Sequence, residues 1–126
     1  MAHYEHLPIY KKAMDLAVFV ETAVKGFSRY HKYTIGTDLR NLSRDVVRSI
    51  IVANSREQKL ETLTNLRDTV EELKVVITLC KEIKAFKSFA AFQTAAEAAV
   101  NLGKQSEGWL RSVKGKSRDD RGGGLA

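Results

Sequence analysis

The residues with the most chemical potential in this chain are cations and aromatics, not catalytic pairs. Segment 27–40 carries Arg29, Tyr30, His31, Lys32 and Tyr33 in direct succession, followed by Gly36 and Arg40. Connectors between packed helices are ordinarily short and polar. Two tyrosines among cations therefore point to a segment that packs down on something or binds something, since cations neutralise phosphates and tyrosine rings stack on bases. The other reading is that the tyrosines cover the open end of a helix pair. Beyond the connector, Arg40, Arg44 and Arg48 recur at four-residue spacing, which makes one stripe on a helix nearly opposite its inner face. Val47 and Ile51 fall on the arginine side of the same wheel. A solvated cationic face has no need of them, so the arrangement predicts a second contact surface, between subunits or with a partner. Scattered surface aliphatics are the alternative.

Lys81, Lys84 and Lys87 form a second basic cluster. Cations near a helix C-terminus complement its dipole, and a phosphate contact is the other use for them. Signals for catalysis are missing. There is no glycine-rich phosphate loop, no Cys/His metal spacing and no Glu-x-x-His pair of the di-metal bundle type. His3, His6 and His31 are all the histidines, and the first two have ligand-like spacing with Glu5 as the only nearby carboxylate. No serine or cysteine has an evident base beside it in sequence. The chain is expected to be no enzyme and to use no cofactor or metal.

The 126 residues suffice for one domain with one modest core. A net charge of +6 favours a polyanion or an acidic protein face as partner. No segment reaches the roughly 18 uncharged apolar residues of a membrane span, and residues 1–6 lack the layout of a signal peptide. The single cysteine, Cys80, forbids an internal disulfide and fits a reducing, cytoplasmic setting.

Apolar periodicity predicts four helices and no strands. The first covers about 7–27, with Pro8 in its first turn, Gly26 at its end, and Tyr10, Ala13, Ala17, Val20, Val24 and Phe27 as its seam; Ile9, Leu16, Ala23, Met14 and Val18 widen it. The second starts at Thr34 as N-cap and ends near 54–56, with Leu39, Leu42, Val46, Ile50 and Ala53 inward. A polar link at 55–59 implies an antiparallel neighbour. The third covers about 60–83 on a seam of Leu63, Leu66, Val70, Leu73, Ile77 and Cys80, a position that reads as a small buried hydrophobe. Val75, Val76, Leu79 and Ile83 add apolar area off that seam, a sign of burial beyond one bundle. The fourth covers about 88–113, capped by Ser88, on Phe89, Phe92, Ala96, Ala99, Gly103, Ser106, Leu110 and Val113, with Trp109 beside the seam. Gly103 and Gly108 each cost about 1 kcal/mol in a helix interior, which predicts tight packing or a kink. The reading is an all-α, antiparallel up-down four-helix bundle over 7–113, with a flexible stretch at 1–6 and a disordered basic, glycine-rich tail at 114–126.

Four segments carry a resemblance to a known family: Leu-Pro-Ile-Tyr-Lys-Lys-Ala (7–13), Phe-Ser-Arg-Tyr-His-Lys-Tyr-Thr-Ile-Gly (27–36), Leu-Arg-Asn-Leu-Ser-Arg (39–44) and Gly-Trp-Leu-Arg-Ser-Val-Lys (108–114). Together they resemble the Avd family, the accessory variability determinants of diversity-generating retroelements. The resemblance implies a bundle assembled as a homopentameric ring or barrel with a basic surface. It also implies binding to the cognate reverse transcriptase and to the element's RNA or cDNA in support of mutagenic retrohoming. The related four-helix proteins of 23S ribosomal RNA intervening sequences are the alternative. They usually carry a Trp in the first helix and an Asn-Ile-Ala-Glu-Gly-like end to the second, where this chain has Tyr10 and Val-Ala-Asn-Ser (52–55). On this reading Arg29, Tyr30, His31, Lys32, Tyr33, Arg40, Arg44 and Arg48 form the candidate contact set for nucleic acid or polymerase. Val47, Ile51, Val75 and Leu79 are the candidate oligomer contacts.

Overall fold

Pro8, whose missing N–H costs nothing in a first turn, opens helix α1 (Pro8–Lys25). The remaining helices are α2 (Arg29–Tyr33), α3 (Ile35–Ser55), α4 (Lys59–Glu82) and α5 (Phe89–Leu125). The computed structural model describes residues 3–55 and 59–125, with side chains in 4–55 and 59–116; the middle of the polar link, 56–58, lies outside them. Among the described residues there is no strand, and no helix is long and apolar enough to cross a membrane. The four long helices form a ring in which α1 packs on α3 and α5, and α4 packs on α3 and α5. Short connections make successive helices antiparallel. The α1–α3 and α4–α5 connections therefore lie at one end of the bundle.

The core is aliphatic. Val20, Leu39, Ile50, Leu63, Leu66, Leu73, Ile77, Leu102 and Leu110 are fully buried. Helix α4 buries the seam read from its spacing: Leu63, Leu66, Val70, Leu73, Ile77 and Cys80. Elsewhere the inward face is rotated. In α1, Ile9 and Leu16 are buried while Tyr10 is only half-buried. In α5 the buried positions are Ala95, Ala99, Leu102, Ser106 and Leu110, and Phe89 stands exposed. Gly103 and Gly108 mark neither a tight contact nor a forced approach. A Cβ at Gly108 would meet nothing within 4 Å, and at Gly103 only ordinary contacts with Lys74 and Val70.

Two stretches expected to lack order carry regular backbone. Residues His3–His6 form a 3-10 turn, closed by a Leu7 N–H donated to the Tyr4 carbonyl at 3.0 Å, and the Tyr4 ring rests on Tyr10 with centroids 4.9 Å apart. Helix α5 continues past Val113 to Leu125, and no proline interrupts this part, although its glycines are weak helix formers. The continuation adds no described core, since 114–116 are exposed.

Candidate functional site

The connector expected as a loop is itself helical. Ser28 caps α2 by accepting the His31 backbone N–H. After one turn the backbone breaks at Thr34, whose hydroxyl donates to the Tyr30 carbonyl at 2.7 Å. The Thr34 carbonyl then accepts from Thr37 and Asp38 to start α3. Gly36 sets how close these pieces sit: an added Cβ would lie 2.8 Å from the His31 carbonyl oxygen and 2.9 Å from Val24 Cγ1. Only a residue without a side chain fits this junction of α1, α2 and α3.

Tyr30 and Tyr33 project from this mount, 74% and 68% exposed. They do not seal the bundle. That task falls to buried Phe27, which meets Phe86 edge-on at 5.4 Å. His31 is half-buried, its ring edge-on to Tyr30 at 5.6 Å, and its Nδ1 is buried without a hydrogen-bond partner. Arg29 is exposed and Lys32 half-buried.

The same end receives the second basic cluster. Helix α4 closes with the Ala85 N–H on the Cys80 carbonyl at 2.8 Å and the Lys84 N–H on the Lys81 carbonyl at 3.0 Å. This double cap requires a left-handed residue, usually glycine, and Lys84 takes that role at φ 60°. Ser88 then caps α5 by accepting from the Ala91 N–H at 3.1 Å. A Cβ at Gly26 would sit 3.1 Å from the Lys87 side chain, so Lys87 lies across the end of α1. Lys81 pairs with Glu82 at 3.4 Å and lies over the Phe92 ring.

The arginine stripe is less open than its spacing implies. Glu21 of α1 reaches across to α3 and takes both Arg40, at 3.3 Å, and Arg44, at 2.5 Å. Arg48 pairs with Asp45 at 3.4 Å. The Arg40 contact is an ion pair without hydrogen-bond alignment, and Arg40 Nε is buried with no hydrogen-bond acceptor. Side-chain exposure climbs along the stripe from 32% at Arg40 to 70% at Arg48. The stripe therefore borders the α1–α3 seam instead of standing opposite the core. Glu21 is the residue that sequence reasoning missed, because its role depends on how α1 and α3 are rotated against each other. Beside Arg48 runs an open polar groove between α3 and α4, walled by Ser49, Asn65 and Thr69.

The four apolar candidates do not gather. Val47 is half-buried and packs against the bundle's own core, and Ile51 is half-buried. Val75 and Leu79 are exposed and form one stripe on α4, continued by Ile83 just past its end. Burial pushes the Cys80 thiol up to about 11, with the nearby Asp38 charge adding to the rise, so it is a poor nucleophile. Among the described residues no three His, Cys, Asp or Glu side chains converge as metal ligands; the side chain of His3 lies outside them. The arrangement offers cations, exposed rings and apolar stripes, which suit binding.

No curated protein matches the chain. A family model described as bAvd-like matches residues 7–113, from the residue before α1 to the last residue packed against the core. The four segments quoted above lie almost wholly in that span, and the chain belongs to the bAvd-like family.

Proposed function

We propose that this chain is a noncatalytic accessory protein of a diversity-generating retroelement. It works in the cytoplasm, binding the element's reverse transcriptase and its RNA or cDNA through a basic surface to support mutagenic retrohoming. The observation that carries this reading is the bAvd-like match over 7–113, which includes the whole connector and the arginine helix. The net charge of +6 agrees with it, as do the exposed cations Arg29, Arg44 and Arg48. Assembly as a homopentamer belongs to the same proposal, and exposed Val75, Leu79 and Ile83 supply apolar area for subunit contacts.

The test is co-purification with the reverse transcriptase of the same element, alongside solution mass by light scattering at low and moderate salt. A salt-resistant pentamer that retains the polymerase is the expected result. Arg44→Gln with Arg48→Gln is expected to weaken the complex at least tenfold without loss of helicity. A chain that never retains the polymerase overturns the accessory reading. A monomer overturns the assembly.

A further inference from the structure

We infer that the bundle end built from α2 and the α4–α5 turn is a stacking platform for single-stranded nucleic acid. The inference rests on the proposed function, in which the chain meets RNA and cDNA, and names the strand state and the surface. Two segments some fifty residues apart converge there. The exposed aromatic side chains among the described residues are Tyr30, Tyr33 and Phe89, and all three stand at this end. None is needed by the core: Phe27 and Phe86 close the bundle beneath them. Phe89 is 66% exposed at the first position of α5, a place where a polar residue would serve the helix equally well. Its ring lies 5.5 Å from that of Phe92.

The charge at this end is predominantly positive, with Asp38 in the first turn of α3 and Glu82 at the end of α4 as its acids. Lys25, Arg29, Lys32, Lys84 and Lys87 stand at the same end, and among the described residues none has a carboxylate within ion-pair distance. Glu82 is the one acid of the α4–α5 turn, and Lys81 already holds it. Exposed rings set among unpaired cations match a single strand, whose bases offer free faces while its phosphates need neutralising. A duplex hides those faces, so the rings contribute nothing to binding it. The mount is rigid, held by the Gly36 contact, the Ser28 and Ser88 caps and the Lys84 turn. Little ordering is then lost on binding.

The experiment uses the full chain with a fluorescent single-stranded RNA of about 12 nucleotides, within the usual reach of such platforms, and a duplex of equal length. The variant is Tyr30→Leu, Tyr33→Leu and Phe89→Leu together, which keeps every charge and most of the apolar bulk. Single-strand affinity is expected to fall about 10- to 100-fold, with duplex affinity within twofold of the parent. Tyr30→Phe with Tyr33→Phe is expected to bind like the parent. Equal losses for strand and duplex, or no loss for either, overturn the platform. A changed solution mass in the variant assigns the rings to a subunit contact and also overturns it. Loss of polymerase co-purification with RNA binding intact assigns them to the polymerase, with the same consequence. A parent chain that binds single strands but never the polymerase sinks the accessory reading alone.

Discussion

Arg40 and Arg44 on α3 share the carboxylate of Glu21, whereas Lys25, Arg29 and Lys32 at the α2 end have no acid within reach among the described residues. Both regions are basic, but they use charge differently. On α3 the positive charge is partly neutralised within the subunit and helps to align α1 with α3. A polyanion must compete with Glu21 to reach it. At the α2 end Lys25, Arg29 and Lys32 make no ion pair among the described residues and share their end of the bundle with exposed rings. Counting cations along a sequence treats the two regions alike, yet only the second has its full charge available to a ligand.

The harshest way to break this contrast is to unseat α2. Gly36→Ala places a methyl group 2.8 Å from a backbone carbonyl oxygen that cannot move aside cheaply, and overpacking of this kind costs about 2–3 kcal/mol. The denaturation midpoint should drop accordingly, whereas Gly108→Ala, in open space, should gain about 1 kcal/mol from helix propensity. If both alanines behave alike, α2 is not wedged in place. The next effect concerns the α4–α5 turn, where Cys80 supplies the carbonyl for the cap. Its thiol pKa is raised to about 11 by burial in the fold, so the folded state holds its proton after the unfolded chain has released it. That contribution is fully present below the unfolded thiol's pKa and is lost as pH rises through about 11, costing about 3 kcal/mol of stability over that window. Cys80→Ala should lower stability at pH 7 but flatten this part of the pH profile. An unchanged slope would place the loss elsewhere.

The architecture was legible where the apolar pattern had a single phase. Helix α4 packs on both α3 and α5, and its polar positions leave one seam, which is the one buried. In α1, Ile9 beside Tyr10 and Leu16 beside Ala17 offer two phases, and packing took the aliphatic one. In α5 the run of alanines carries no phase at all, so Ala95 and Leu102 face inward where Ala96 and Gly103 were expected. The candidate site was legible in its residues but not in its grouping. An up-down topology brings the first and third connections to one end, so Lys84, Lys87 and Phe89 could have been joined to Arg29, Tyr30 and Tyr33 from the bundle order alone. The Glu21 contacts could not, because rotation of α1 by a fraction of a turn decides whether that carboxylate faces Arg40 or water.

A smaller effect tests how firmly the α4–α5 turn is held. Lys84 occupies a left-handed conformation at φ 60° that costs a side-chain-bearing residue about 1 kcal/mol. Lys84→Gly should therefore raise stability by up to about 1 kcal/mol by thermal denaturation. It also removes one cation from the platform, so single-strand affinity should fall slightly while stability rises. Movement of both in the same direction would mean that the turn is reshaped and not merely relaxed.

The finest test of the contrast is Glu21→Gln. The carboxylate is partly exposed, with Arg44 at 2.5 Å and Arg40 at 3.3 Å, and pairs of this exposure contribute under about 1 kcal/mol each. Stability should therefore barely change. Binding should change more, because the two guanidinium groups at the α1–α3 seam lose the carboxylate that competes with a phosphate for them. Duplex and single-strand affinities should both rise, about 3- to 10-fold at low salt, and the dependence on salt should steepen as more counterions are released. The rise should be shared equally by the two strand states, since phosphates are common to both, unlike the selective loss expected from removing the rings. If Glu21→Gln favours one strand state, the stripe and the platform form one continuous path for the nucleic acid, and the division between paired and unpaired charge dissolves.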